Sequence, residues 1–313
     1  MTGGELIALL DRCYRRSHVI GDLENGVIAA LDLEGRLFTI VNGQVLNRVL
    51  TSAIEKRSNK NVFQNPGGDV LWPAPEGTTM GYEYTTADWR VPPSITGSVW
   101  EVISTTEDSA VIRAEIDLIN NQQIGIPCEF ERHIKVELQE NALMQHVTEI
   151  IRYIGKNTID NNEFLLAPWS LCQFDSGEYG KVVIPVSNEN DIWDMYDSSE
   201  NQRTLLDNQL VVKTKTSKRF QLALSENVGW IEYIAGNKFR VKRTVLNSLS
   251  EHRYIDIADA SPDKAPSDKG VKLSVYCDPS NFMEIEGCGK CPYKLTPGME
   301  IGVDIITEYV VTE

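Results

Sequence analysis

Ala110-Val-Ile-Arg-Ala-Glu-Ile-Asp-Leu118 decides the fold class. Successive side chains of an extended strand point to opposite sides, so Ile112, Ala114, Ile116 and Leu118 share one face while Arg113, Glu115 and Asp117 share the other. One face packed and one face wet is the pattern of an antiparallel sheet; parallel strands covered on both sides read instead as continuous apolar runs. The alternation recurs in His133-Ile-Lys-Val-Glu-Leu138, with Ile134, Val136 and Leu138 inward, and in Arg219-Phe-Gln-Leu-Ala-Leu224, with Phe220, Leu222 and Leu224 inward. Similar patterning predicts strands at 37–41, 99–103, 147–153, 182–186, 210–216, 230–234, 239–245, 254–257, 273–277 and 301–311.

Between these runs lie the turn residues that connect hairpins: Glu34-Gly35, Asn42-Gly43, Gly155-Lys-Asn157, Asp175-Ser-Gly177, Gly236-Asn237 and Pro297-Gly298. Many short strands with few helices between them define an all-β sandwich or barrel. No fixed-period repeat is visible, which argues against a propeller. The polar, proline-punctuated segment 260–270 reads as a loop, since strand patterning continues on both sides. The single helix pattern is at the start, where Leu6, Leu9, Leu10 and Cys13 recur at helical spacing. The expected organisation is an N-terminal helix within 1–20 and one β-sandwich domain over 21–313.

With 313 residues, 42% hydrophobic, the chain is long enough to bury a large core. Its formal net charge of −15 disfavours nucleic acid and anionic membrane surfaces, both of which are bound through clustered Lys and Arg. A neutral ligand carries no such penalty. No stretch reaches the roughly 20 apolar residues that span a bilayer, and Met1-Thr-Gly-Gly-Glu-Leu6 has neither the basic nor the apolar region of a signal peptide, so the chain reads as cytoplasmic. The six cysteines are mostly far apart, which suits reduced, buried thiols.

The most unusual stretch is Asn65-Pro-Gly-Gly-Asp-Val-Leu-Trp-Pro-Ala-Pro-Glu-Gly77, followed by Tyr82, Tyr84, Trp89 and Arg90. Read as a loop, it concentrates Trp72, Tyr82, Tyr84 and Trp89 beside Asp69, Glu76, Glu83 and Asp88. A pyranose needs this mixture: its C–H face lies on an aromatic ring, and carboxylates, amides or Arg hold its hydroxyls. The alternative is a rigid plug whose tryptophans close one end of the sandwich. Arg132 falls by parity on the inward side of its strand, where it either meets a ligand or forms an internal ion pair. Near the C-terminus, Glu284 and Glu286 share one face if extended. They are either an acid/base pair or two solvated strand residues. Cys288-Gly-Lys-Cys291 has the gap of a zinc knuckle but lacks a second pair, and His18, His133, His146 and His252 show no metal spacing; neither metal nor cofactor is expected. His146 is the one histidine kept as an acid/base candidate.

Taken in order, Asn25-Gly-Val-Ile-Ala-Ala-Leu-Asp-Leu-Glu-Gly35, the Trp-Pro-Ala-Pro-Glu stretch, Glu131-Arg-His-Ile134 and Leu295-Thr-Pro-Gly298 resemble the galactose mutarotase-like (aldose 1-epimerase-like) superfamily, closest to uncharacterised bacterial members. The resemblance covers nearly the whole chain. It implies a β-supersandwich that binds a carbohydrate. In the epimerases a histidine protonates the ring oxygen and a glutamate near the carboxyl end deprotonates the anomeric hydroxyl. The histidine's place falls near Leu165-Leu-Ala-Pro-Trp-Ser170, where this chain has Pro168 and Trp169, and the glutamate's place falls nearest Cys277-Asp278. Trp169 cannot transfer a proton but can stack on a sugar. The candidate catalytic residues are therefore Glu76, Glu284 and Glu286, and the candidate substrate-binding residues Trp72, Asp69, Trp89, Arg90, Arg132 and Trp169. Two functions compete: an epimerase-type enzyme with a non-standard site, and a non-catalytic sugar-binding or structural module. The sequence does not fix an oligomeric state.

Overall fold

The computed structural model describes residues 1–59, 61–82, 91–186, 188–246 and 252–312, and its architecture is two ten-stranded antiparallel sheets packed face to face. The first sheet runs in the order Ser17–Gly21, Gly26–Ala30, Arg36–Val41, Asp69–Ala74, Ala167–Asp175, Phe282–Cys288, Leu273–Asp278, Phe220–Leu224 and Ile192–Asp194, with Gln44–Val45 beside Arg36–Val41. The second runs Arg203–Leu206, Gln209–Lys213, Gly180–Pro185, Trp230–Ala235, Phe239–Leu246, Glu300–Val311, Ala142–Tyr153, Gly125–Gln139, Ser109–Ile119 and Glu101–Thr105.

The alternation in Ser109–Ile119 works as read: Ile112, Ala114, Ile116 and Leu118 are buried in the core shared by the sheets. Each buried Ile or Leu contributes about 1.5–3 kcal/mol by leaving water. Leu138 departs from the expectation and is 62% exposed, because its strand runs beyond the core towards the turn into Ala142–Tyr153. Residues 254–257 form no strand; only Arg253 bridges to Cys291 there.

The N-terminal helix occupies part of residues 1–20. It spans Gly3–Arg12, starts at a capping box in which Thr2 and Glu5 bond each other's backbone N–H, and ends before Tyr14 turns left-handed at φ 54°. Ser17–Gly21 is already a strand. Leu6, Leu9 and Leu10 pack on Ile28, Phe38 and Ile40, outside the main core.

The larger correction concerns the stretch read as a loop. Asp69–Ala74 is a fully buried strand inside the first sheet. Its prolines disguised it. Pro73 stands opposite Pro168, and both lie where pairing to their other neighbours has stopped: Arg36–Val41 meets this strand only at Asp69, and the next strand pairs no further than Trp169. No ladder N–H is needed there, so proline is tolerated.

Asp69 and Arg132 are held in the core between the sheets. Arg132 donates to Glu149 at 2.6 and 2.9 Å, to the Asp69 carboxylate at 2.5 Å and to the carbonyls of Gly35 and Asp69. Arg243 bonds the other Asp69 oxygen at 2.6 Å, and Ser170 joins Asp69 to Glu149. Against the penalty of burial, the two guanidinium groups hold Asp69 below its ordinary pKa. Arg132 thus takes the internal ion pair of its two alternatives.

Candidate functional site

Strand parity in the first sheet divides its residues cleanly. Asp69, Leu71, Ser170, Cys172, Ile285 and Val275 face the second sheet, while Trp72, Trp169, Leu171, Gln173, Ser274, Tyr276, Glu284, Glu286 and Gln221 share the opposite face. On that face is a cavity of about 240 Å³ bounded by the latter set other than Ser274, together with Phe63, Asn65, Glu76, Tyr196, Arg219, Asp259, Asp278, Ser280 and Phe282. Chemistry, not size, singles it out. A groove of about 520 Å³ along Pro93–Ile103 and Arg113–Asp117 is larger, but no aromatic ring or buried carboxyl lines it.

Glu284 and Glu286 come from alternate positions of Phe282–Cys288, so both project from the cavity face, where their charges oppose each other. Glu286 is wholly buried and accepts from Trp169 Nε1 at 3.0 Å, from Gln221 Nε2 at 2.9 and 3.2 Å and from Ser274 Oγ. Burial raises its pKa to about 7, and these donors hold it from rising further. Glu284, 7% exposed, is pushed well above the carboxylate range by burial first and by the Glu286 charge second, with Glu76 adding to the effect.

A third residue fixes the orientation of Glu284. Arg36 is fully buried and can only donate, so the Gln173 oxygen faces its Nη1 at 3.4 Å and the Gln173 amide N–H₂ must face Glu284, donating to Oε1 at 2.7 Å. Oε1 of Glu284 is therefore an acceptor, which leaves Oε2 to carry the proton. Arg36 is itself held by Glu34 at 2.9 Å and the Gly67 carbonyl at 2.8 Å.

The walls are aromatic. Trp72 and Trp169 meet edge to face at 6.2 Å, and Phe63 packs on Trp72 at 5.8 Å. The Trp72 indole N–H donates to Glu34 at 3.1 Å. At the rim, Arg219 pairs with Asp259 at 2.7 Å and lies over the Tyr196 ring at 4.1 Å, while the Tyr196 hydroxyl accepts from the Asp259 N–H. Glu76 reaches the cavity because the segment after Ala74 is laced to residues 258–264, Gly77 and Thr78 donating to the carbonyls of Ala258 and Ala260. A Cβ at Gly77 would stand 2.3 Å from the Ala260 oxygen, so glycine is required for that approach.

Of the nine residues expected at a site, the cavity gathers five: Glu76, Glu284, Glu286, Trp72 and Trp169. Asp69 and Arg132 belong to the inter-sheet ion cluster instead. Trp89 and Arg90, with Glu83, Tyr84 and Asp88, lie outside the described residues. Tyr82 is buried with its hydroxyl on the Leu165 carbonyl. His146 is on the second sheet, beside His133 and Lys135, and none of the described residues lining the cavity is a histidine. Sequence reasoning missed Gln173, Gln221 and Tyr276. Gln221 had a signal, since it lies opposite Phe220, Leu222 and Leu224 in its strand, but that position reads as solvent-facing until the cavity covers it. Among the described residues no cluster of three His, Cys, Asp or Glu side chains is placed to hold a metal, and no helix is long and apolar enough to cross a membrane.

Two sheets of this topology with a short leading helix make the fold galactose mutarotase-like. A putative aldose 1-epimerase from Escherichia coli K12 is similar in structure with a TM-score of 0.55 at 11% identity, covering 95% of this chain and 99% of its own. The Slr1438 protein of Synechocystis sp. gives 0.58 at 14% identity over 95% and 96%, and a galactose mutarotase-like protein from Lactobacillus casei 0.56 at 10% identity over 94% and 100%. By sequence, the chain belongs to the family of unknown function DUF6786, whose model matches residues 24–229. No protein of curated function matches it in sequence.

Proposed function

We propose that this chain binds a neutral carbohydrate in the Glu284–Trp169 cavity and interconverts its anomers. The observation that carries this reading is a pair of buried carboxyl groups, Glu284 and Glu286, on the floor of a sugar-sized cavity walled by Trp72 and Trp169, where burial weakens the acidity of Glu284. Anomer exchange requires a proton on the ring oxygen and loss of one from the anomeric hydroxyl; the C1–O5 bond then breaks to the open aldehyde, which recloses on its other face. The reaction is redox-neutral and needs no cofactor. Glu284 supplies the acid through Oε2, and Glu76 is the base, leaving Glu286 as the buried charge that positions Glu284. Trp72 and Trp169 form the apolar wall, and Gln173, Gln221, Arg219 and Asp278 serve the hydroxyls. The carboxyl pair thereby takes over what a histidine does in aldose 1-epimerases.

NMR saturation exchange across a panel of aldoses tests this. The wild type should accelerate exchange of at least one sugar, and Glu284→Gln should lower that rate by roughly 10²–10⁴-fold while binding persists. Absence of both binding and exchange for every aldose would remove the proposal. Binding without exchange would leave the non-catalytic reading, which the engagement of Glu286 by three donor residues favours.

A further inference from the structure

A second cavity, of about 450 Å³, opens behind the wall of the first. The segment Phe63–Pro66 separates them: Phe63 and Asn65 line the acidic cavity, while Gln64 and Pro66 line the other. The second cavity differs in charge. Arg15, Lys56 and Arg57 line it together, in a chain whose carboxylates outnumber its Lys and Arg by 45 to 30.

The two carboxylates on its walls are engaged elsewhere. Asp32 accepts from the Arg16 guanidinium at 2.7 and 3.1 Å and from the Arg16 N–H at 2.8 Å. Glu34 accepts from Arg36 and from the Trp72 indole. Arg15, by contrast, is 7% exposed and, among the described residues, donates only from Nη2 to the Lys56 carbonyl at 2.7 Å and has a buried Nε with no partner. Neither Lys56 nor Arg57 forms an ion pair among the described residues. A buried guanidinium with unused donors is costly, and a second cation beside it adds repulsion. Burial, followed by the nearby Arg57, lowers the pKa of Arg15. Asp32 acts on Arg15 only from beyond ion-pair distance, and among the described residues no carboxylate is ion-paired to any of the three cations around this hollow, which makes it a site that an oxyanion completes.

We propose that this cavity is a second binding site, for a small oxyanion such as a phosphate or carboxylate group, held by Arg15 Nε and Nη1 and by the side chains of Lys56 and Arg57. Because Phe63–Pro66 and the Glu34–Trp72 hydrogen bond wall it off, its occupant is a ligand distinct from the one in the acidic cavity. The site stands independently of the carbohydrate reading.

Isothermal titration calorimetry of the full chain with inorganic phosphate, methyl phosphate and acetate, at low ionic strength, tests it. Saturable binding at one site is expected. The paired substitutions Lys56→Gln and Arg57→Gln, both on exposed side chains, should weaken it by roughly 10–100-fold, the scale of one or two charge-assisted hydrogen bonds. Glu284→Gln should leave it unchanged. The three titrants distinguish a free phosphate from a phosphate monoester or a carboxylate. No saturable binding of any of them, or binding that survives the double substitution, overturns the proposal; loss in Glu284→Gln would move the anion to the first cavity and overturn it equally.

Discussion

Replacing Glu284 by Gln should make the protein more stable at alkaline pH and less able to move protons, and the size of the first effect follows from its environment. Burial and the neighbouring Glu286 hold the Glu284 carboxyl protonated well above 4.5, whereas the same group in the unfolded chain ionises near that value. Above pH 4.5 the native state therefore binds a proton that the unfolded state has released, so stability falls as pH rises, by about 1.4 kcal/mol per pH unit until the folded pKa is passed. Glutamine has the same shape and keeps an oxygen for the Gln173 N–H₂, yet it does not titrate. The stability difference between variant and wild type should be smallest near pH 4.5 and should grow in favour of the variant towards pH 8. Urea unfolding at pH 5, 6, 7 and 8 measures it directly. A difference that stays flat across that range would show that Glu284 is ionised in the native state, and would take the acid away from the proposed reaction.

The same cavity makes a second prediction through Trp169, whose indole N–H is one of the donors restraining Glu286 at a pKa of about 7. Trp169→Phe should move the Glu286 titration upward, visible as a shifted pH profile of binding or exchange; an unmoved profile would mean that Gln221 and Ser274 suffice. Removing Arg132 as Arg132→Ala leaves Glu149 in the core without a cation and Asp69 with Arg243 alone, and should cost roughly 3–5 kcal/mol in denaturant unfolding. A loss under 1 kcal/mol would contradict the ion cluster. Burial pushes the thiols of Cys172 and Cys291 up to about 12 and about 11, and only Cys13 is not fully buried. Native labelling with a thiol reagent should thus show one fast cysteine and five that wait for unfolding.

Alternation alone located Ser109–Ile119 and the long strands beside it, because a side-chain period of two is written into any strand with one wet face. That was enough for the sandwich and its antiparallel sense. The short helix was equally legible, its leucines spaced for one face and Thr2 and Glu5 placed as a cap. Asp69–Ala74 and Ala167–Asp175 were not legible, since both are buried on both faces and carry prolines at a register where the ladder has ended; nothing local distinguishes such a proline from a loop proline.

Residue types nominated Glu76, Trp72, Trp169, Glu284 and Glu286 one by one, but only the pairing of Ala167–Asp175 with Phe282–Cys288, and of that strand with Leu273–Asp278, puts them around one cavity. Asp69 and Trp72 lie three residues apart in the same strand and were read as partners in one site. Strand parity sends them to opposite faces of the sheet, one to an ion cluster and one to the cavity wall. A carboxyl's pKa depends on how much water it loses and which charges stand beside it, and both are set by residues distant in sequence. The sequence by itself therefore determined the sandwich and the chemical groups available to it, while the tertiary structure decided which carboxyls keep their protons.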